Sequence, residues 1–294
     1  MKKNKGTVKT LKLIAKIIIS VGVFWYITTK IDLSEIGAAI SKANLGILVV
    51  SLLIYMASQV ASSFRLNILF RLIPVHLSEI TNLKLYWLGL FYNLFLPGGV
   101  GGDGFKIYLM NHYLKVPVKK LLGAVFVDRL SGLTIIMTYL LVLLYFIDYA
   151  IPYKSWVLLI LPLPLLGLYV LLRWFFPPFR KAFTRISLWS IMVQGIQMLA
   201  TLSILYALGI EDIGRYDDYL FLFFLSSIMA SVPITLGGIG AREFTFLMGA
   251  EYLNLRADIA IALSLLFFLV SVVSALPGFW YTLKPRRILM SVKD

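Results

Sequence analysis

The chain has 294 residues, of which 60% are hydrophobic and 14% charged, with a formal net charge of +14. Soluble domains carry about 25% charged residues, so a soluble globular fold is excluded, and the absence of cysteine excludes disulfides, thiolate catalysis and Cys-based metal sites. The excess of Lys and Arg is assigned to cytoplasmic loops and to anionic lipid headgroups rather than to nucleic acid.

The first thirty residues, MKKNKGTVKTLKLIAKIIISVGVFWYITTK, have the basic start and apolar middle of a signal peptide but no small-x-small cleavage site before Lys30. They read as a retained first transmembrane helix. Further apolar segments fall at roughly 46–64, 83–97, 121–147, 155–173, 187–208, 218–236 and 258–282, which with 12–29 makes about eight. The expected fold is an all-α polytopic membrane protein in one integral membrane domain. Segments 83–97 and 218–236 run directly into glycine-rich sequence. The first of these is also too short to cross an apolar core of about 30 Å at 1.5 Å per residue.

Loop charges decide between topologies. If all eight segments cross, the loop with Arg173, Arg180, Lys181 and Arg185 falls outside and the acidic EDIGRYDD run (211–218) falls inside, both against the positive-inside rule. A re-entrant hairpin at 83–97 corrects both, and a second after 218–236 brings Lys284, Arg286, Arg287 and Lys293 inside. Both termini are then cytoplasmic, in the cell membrane. The hairpins also align without gaps: GGVGGDGFKIYLM on GGIGAREFTFLMG, with a proline before each. Two related segments entering from opposite faces describe an inverted repeat, with halves of about 1–150 and 151–285. The expected turns are Pro97, Gly98, Gly99, Gly101 and Gly102 in one half, and Pro233, Gly237, Gly238 and Gly240 in the other. Irregular backbone at membrane depth is tolerated where protein buries it or it lines a wet cavity.

The run Gly99-x-Gly101-x-x-Gly104 formally matches a dinucleotide fingerprint, but it follows a membrane segment and no βαβ pattern surrounds it. Lys106 lacks the GK[ST] ending of a P-loop, and His76 and His112 lie too far apart for a zinc site. No cofactor or metal is expected. A charge in the middle of a membrane helix costs about 2.5–3.5 kcal/mol, so Arg65, Asp103, Lys106, Asp128, Arg129, Arg242 and Glu243 call for an explanation. The four cations suit a phosphate. The carboxylates suit those cations or a headgroup amine. Internal pairing that fixes helix packing is the plainer reading, most of all for Arg65 and Lys106. Asn93 fits either a packing hydrogen bond or the site. Asp103 aligns with Arg242, which suggests a salt bridge between hairpin tips.

Three motifs, N-x-x-x-P-G-G-x-G-G-D (Asn93 to Asp103), D-R-x-x-G (Asp128 to Gly132) and P-x-x-x-G-G-x-G-x-R-E (Pro233 to Glu243), resemble the lysylphosphatidylglycerol synthase transmembrane-region family of flippase-like (UPF0104) membrane proteins. The resemblance implies movement of lipid between leaflets, with Asp103, Asp128, Arg129, Arg242 and Glu243 as motif positions. Lys106 departs from the arginine more often expected there. About ten residues follow Pro285, too few for a soluble aminoacyltransferase domain, so a modified lipid would come from a separate enzyme. The expected activity is translocation of a phospholipid, an aminoacylated phospholipid or a polyprenyl-phosphate-linked lipid. The alternatives are a membrane-embedded enzyme or accessory acting on a lipid phosphate, with Asp103 and Asp128 as acid and base, and an exporter of small amphiphiles.

Overall fold

A computed structural model describes residues 33–95, 101–147, 154–210, 213–231, 240–283 and 285–290. The expected helix at 12–29, the turn residues Pro97, Gly98, Gly99, Pro233, Gly237 and Gly238, and Glu211, Asp212, Lys284 and Lys293 lie outside them. Among the described residues the regular structure is entirely helical. In chain order the α-helices are α1 (Leu33–Lys42), α2 (Leu45–Phe70), α3 (Glu79–Phe95), α4 (Gly101–Leu114), α5 (Val118–Phe146), α6 (Val157–Ile160), α7 (Leu163–Trp174), α8 (Phe183–Ala207), α9 (Tyr216–Ser231), α10 (Ala241–Tyr252), α11 (Ala257–Ala275), α12 (Gly278–Thr282) and α13 (Pro285–Met290).

Five helical stretches are long and apolar enough to cross a membrane: Leu45–Phe70, Val118–Phe146, Val157–Trp174, Pro177–Ala207 and Ala257–Ala275. They contain most of the expected segments 46–64, 121–147, 155–173, 187–208 and 258–282. α3 and α9, which carry the other two, have 17 and 16 residues, about 25 Å each at 1.5 Å per residue, and are not among the five. Each packs beside the short helix that follows its glycine-rich connection, α3 on α4 and α9 on α10.

The distribution of side chains is that of a membrane bundle. α2 buries Ser51, Ser58, Ser62, Ser63 and Arg65 while Val49, Val50 and Leu53 face outward. Lipid tails are as apolar as leucine, so helices associate through small and polar residues that let backbones approach. The partner of that small, polar face is α8. Ser51 donates to Ser203 Oγ at 2.8 Å, Phe64 stacks edge-on against Trp189, and Arg65 donates to Ser190 Oγ at 3.0 Å. As numbers rise along α2 they fall along α8, so the two helices run antiparallel.

The displacement of 139 positions that carries Gly98 onto Gly237 also carries α2 onto α8, α3 onto α9, α4 onto α10 and α5 onto α11, within a few residues at the starts. It relates Ser58 to Gln197, whose Nε2 lies 3.5 Å from Ser58 Oγ near the middle of the α2–α8 contact. The apolar cores obey it too. Leu66, Leu69, Leu85, Ile107, Leu121 and Ala124 belong to one core. Their counterparts Leu205, Leu208, Phe224, Phe246, Ala260 and Leu263 belong to the other. The two helices related by this displacement, α2 and α8, therefore meet antiparallel.

Candidate functional site

Two glycines show how the backbone is held next to the site. A Cβ on Gly102 would lie 1.8 Å from the Gly89 carbonyl oxygen, so α3 and α4 touch backbone to backbone there. The Gly102 N–H, one of the free donors at the start of α4, is accepted by Asn93 Oδ1 at 2.8 Å. In the other half Gly240 has φ +89°, a conformation that favours glycine. Its N–H is accepted by Glu243 Oε2 at 2.7 Å, while Ser264 donates to Glu243 Oε1 at 3.1 Å. Asn93 and Glu243 thus each cap the helix that follows a glycine-rich run. Gly101 opens α4.

Between the helix pairs α3–α4 and α9–α10, against α2 and α5, lies a cavity of about 390 Å³. Arg65, Asn93, Asp103, Lys106, Asp128, Arg129 and Arg242 all line it. Of the residues singled out as site candidates, Glu243 alone is not in the lining; it stands next to Arg242 in α10 and caps. Tyr55, Tyr86, Ser227 and Ser231 line the cavity as well and were not expected. In sequence they are unremarked members of apolar helices, and nothing separates these two tyrosines from the other fourteen.

The charges fall into three groups. Arg65, almost fully buried, meets Asp128 as a bidentate pair through one edge of its guanidinium, Nε to Oδ1 at 2.8 Å and Nη2 to Oδ2 at 3.2 Å, and its Nη1 donates to Ser190. The D-R-x-x-G motif acquires a local reason. Asp128 and Gly132 sit one helical turn apart on the same face of α5, and a Cβ on Gly132 would come within 3.2 Å of Arg65 Nη1. The carboxylate takes the guanidinium and the glycine leaves room for it.

Asp103 is the hub of the second group. Its Oδ1 meets Lys106 Nζ at 2.7 Å, and its Oδ2 accepts from Arg129 Nε at 2.6 Å and Nη2 at 2.5 Å. Lys106 also lies 4.9 Å from the centre of the Tyr86 ring, a cation–π distance. Its aliphatic stem occupies the space a side chain at Gly89 would take.

Arg242 forms the third. The expected salt bridge between Asp103 and Arg242 is not formed, because Asp103 is already held by a cation one turn along its own helix and by another from α5. Among the described residues Arg242 makes no salt bridge. Its guanidinium lies 5.2 Å from the centre of the Phe267 ring. Among the described residues four cations therefore line the cavity against two carboxylates, and counting Glu243 still leaves one cation in excess.

These observations define a multi-pass helical membrane protein with a cavity between two short helix pairs whose described lining carries more cations than carboxylates. The chain belongs to the lysylphosphatidylglycerol synthase transmembrane-region family, whose model matches residues 13–187. The matched stretch includes the Asn93–Asp103 and Asp128–Gly132 motifs and stops before Pro233–Glu243. Membership gives the protein a membrane-lipid-related function. No curated protein matches the chain.

Proposed function

We propose that the protein is a lipid translocase of the cell membrane, passing a phosphate-bearing headgroup between leaflets through the cavity while the acyl or prenyl tails stay in the bilayer. The observation that carries this reading is Arg242: a guanidinium that lines the cavity and, among the described residues, makes no salt bridge. A guanidinium binds two phosphate oxygens at once. Arg129, half-exposed on the cavity wall and held by Asp103, has its guanidinium placed to bridge that carboxylate and such an anion.

In this account the two helix pairs are re-entrant hairpins that enter from opposite faces, consistent with the antiparallel meeting of α2 and α8. Alternating access follows from exchange between two related halves. The end that carries Lys119, Lys120, Arg173, Arg180, Lys181 and Arg185 is cytoplasmic by the positive-inside rule. The substrate is a phospholipid, an aminoacylated phospholipid or a polyprenyl-phosphate-linked lipid. Where it is a modified lipid, a separate enzyme supplies it. Movement is passive or ion-coupled and changes no covalent bond. Asp103 and Asp128 are both engaged by cations, which favours a structural and electrostatic role for them over proton transfer.

The test is reconstitution into vesicles with a fluorescent anionic lipid, following leaflet exchange and then recovering the lipid for chemical analysis. Exchange with chemically unaltered lipid supports translocation. Altered lipid without exchange would replace this reading with the enzymatic one.

A further inference from the structure

A second cavity lies away from the cationic one, at the basic end of the bundle. It is a groove of about 600 Å³ between the start of α5, the turn after α2 and the segment after α7, lined by Leu72, Ile73, Leu122, Phe126, Phe175 and Phe179 with Lys119 and Lys120. The volume lies within the range of about 300–1,000 Å³ typical of ligand pockets. Leu122, Phe126 and Phe175 are exposed, as are both lysines. Among the described residues neither lysine makes an ion pair, and no carboxylate lines the groove.

The internal repeat supplies the comparison. The same displacement of 139 positions carries Lys119 and Lys120 onto Asp258 and Ile259, and Pro178 onto Ala39 when taken in reverse. These counterparts line a groove of about 510 Å³ with Lys42, Leu208, Gly209 and Arg256. That groove sits at the far end of α8, about 36 Å away for 25 residues at 1.5 Å each. There Asp258, at the position of Lys119, is paired with Arg256 at 2.6 Å. One fold position thus offers an apolar trough rimmed by two lysines that, among the described residues, make no ion pair, at one end of the molecule. At the other end it offers a more polar trough with a neutralised pair.

We infer that the groove at Lys119 and Lys120 is a docking site for an anionic phospholipid of the leaflet at that end, its chain against Leu122, Phe126 and Phe175 and its phosphate between the lysines. Lysine stems lie along apolar surface while the ammonium groups reach the headgroup level. Each lysine near an anionic surface adds about 1 kcal/mol, a factor of about five, so the pair gives a preference of up to about 25-fold for anionic over zwitterionic lipid. This site is separate from the proposed translocation cavity and does not depend on it.

The chain has no cysteine, so a fluorophore on Leu122→Cys reports on the groove alone. The labelled protein is placed in bilayers containing brominated phosphatidylglycerol or brominated phosphatidylcholine, and quenching is compared with a label on Leu188→Cys, an exposed α8 position close in sequence to the basic segment. The expected result is stronger quenching by phosphatidylglycerol at Leu122 than at Leu188, a difference that disappears in Lys119→Gln/Lys120→Gln while quenching by phosphatidylcholine persists. That persistence shows the double variant is folded in the bilayer. Equal preference at the two labels, or a preference unchanged in the double variant, would overturn the assignment.

Discussion

Asp103 and Arg242 stand at equivalent positions of the two halves and line one cavity, yet they do not pair. Asp103 is held by Lys106 at 2.7 Å and by Arg129 at 2.5 Å, while Arg242 rests over Phe267. In the displacement that relates the halves, Phe267 is the counterpart of Asp128. Among the described residues the first half thus pairs each of its cavity charges, three cations on two carboxylates, and the second sets Arg242 against an aromatic wall. Positions related by the displacement thus carry different charge patterns, and that difference is what an anionic headgroup would meet in the proposed path.

Arg242 should be expendable for folding. Among the described residues, replacing it with alanine removes no salt bridge, only the contact over the Phe267 ring. The thermal midpoint of Arg242→Ala in detergent should stay near that of the parent protein, with a stability change below about 1 kcal/mol.

Asp128 should behave in the opposite way. Asp128→Ala strands the buried guanidinium of Arg65, and breaking a buried pair from one side costs about 3–5 kcal/mol. The double substitution Arg65→Met/Asp128→Leu should recover most of that loss, because no unpaired charge remains. Denaturation of the two variants side by side checks this. Equal instability would mean that the pair has a further role in the fold.

Gly102→Ala should separate the arms of the first helix pair. The new methyl group would sit 1.8 Å from a backbone oxygen, which no rotamer change relieves, and overpacking of this kind costs about 1–3 kcal/mol or more. The Asn93 cap on the Gly102 N–H should be lost with it. The measurement is the thermal midpoint together with protease resistance near α4.

The topology is tested by single cysteines. One at Lys181 should react with an impermeant reagent only from the cytoplasmic side, and one at Asp217 only from outside, since they flank the two ends of α8. Labelling of both from the same side would remove the inverted arrangement of the halves.

Much of the scaffold was legible in the sequence because lipid-facing helices are written as long apolar runs. The run 46–64 was read as stopping before Arg65, whereas α2 continues to Phe70. A buried arginine ends an apolar run without ending a helix when a partner from another helix, here Asp128, neutralises it. The close approach of α3 and α4 at Gly89 and Gly102 was not legible in the glycine alignment, since Gly89 lies outside the aligned stretch and Gly102 falls opposite Ala241. Pairing was not legible: alignment placed Asp103 opposite Arg242, but the competing cations Lys106 and Arg129 decide the bond through their position in space. Asn93 as a cap was hidden for the same reason, since it reaches from α3 to the start of α4 across the glycine run. Glu243, three residues after Gly240, carried the spacing of a capping box in plain view.

The central claim is tested most directly by transbilayer movement of a fluorescent anionic lipid in reconstituted vesicles, read with an impermeant quencher, for the parent protein, Arg242→Ala and Arg242→Lys. The account predicts movement faster than in protein-free vesicles. It predicts loss of that movement in the alanine variant, and a partial loss in the lysine variant, which keeps the charge without the two-pronged geometry. Undiminished movement in a folded Arg242→Ala protein would contradict a headgroup path through the cavity.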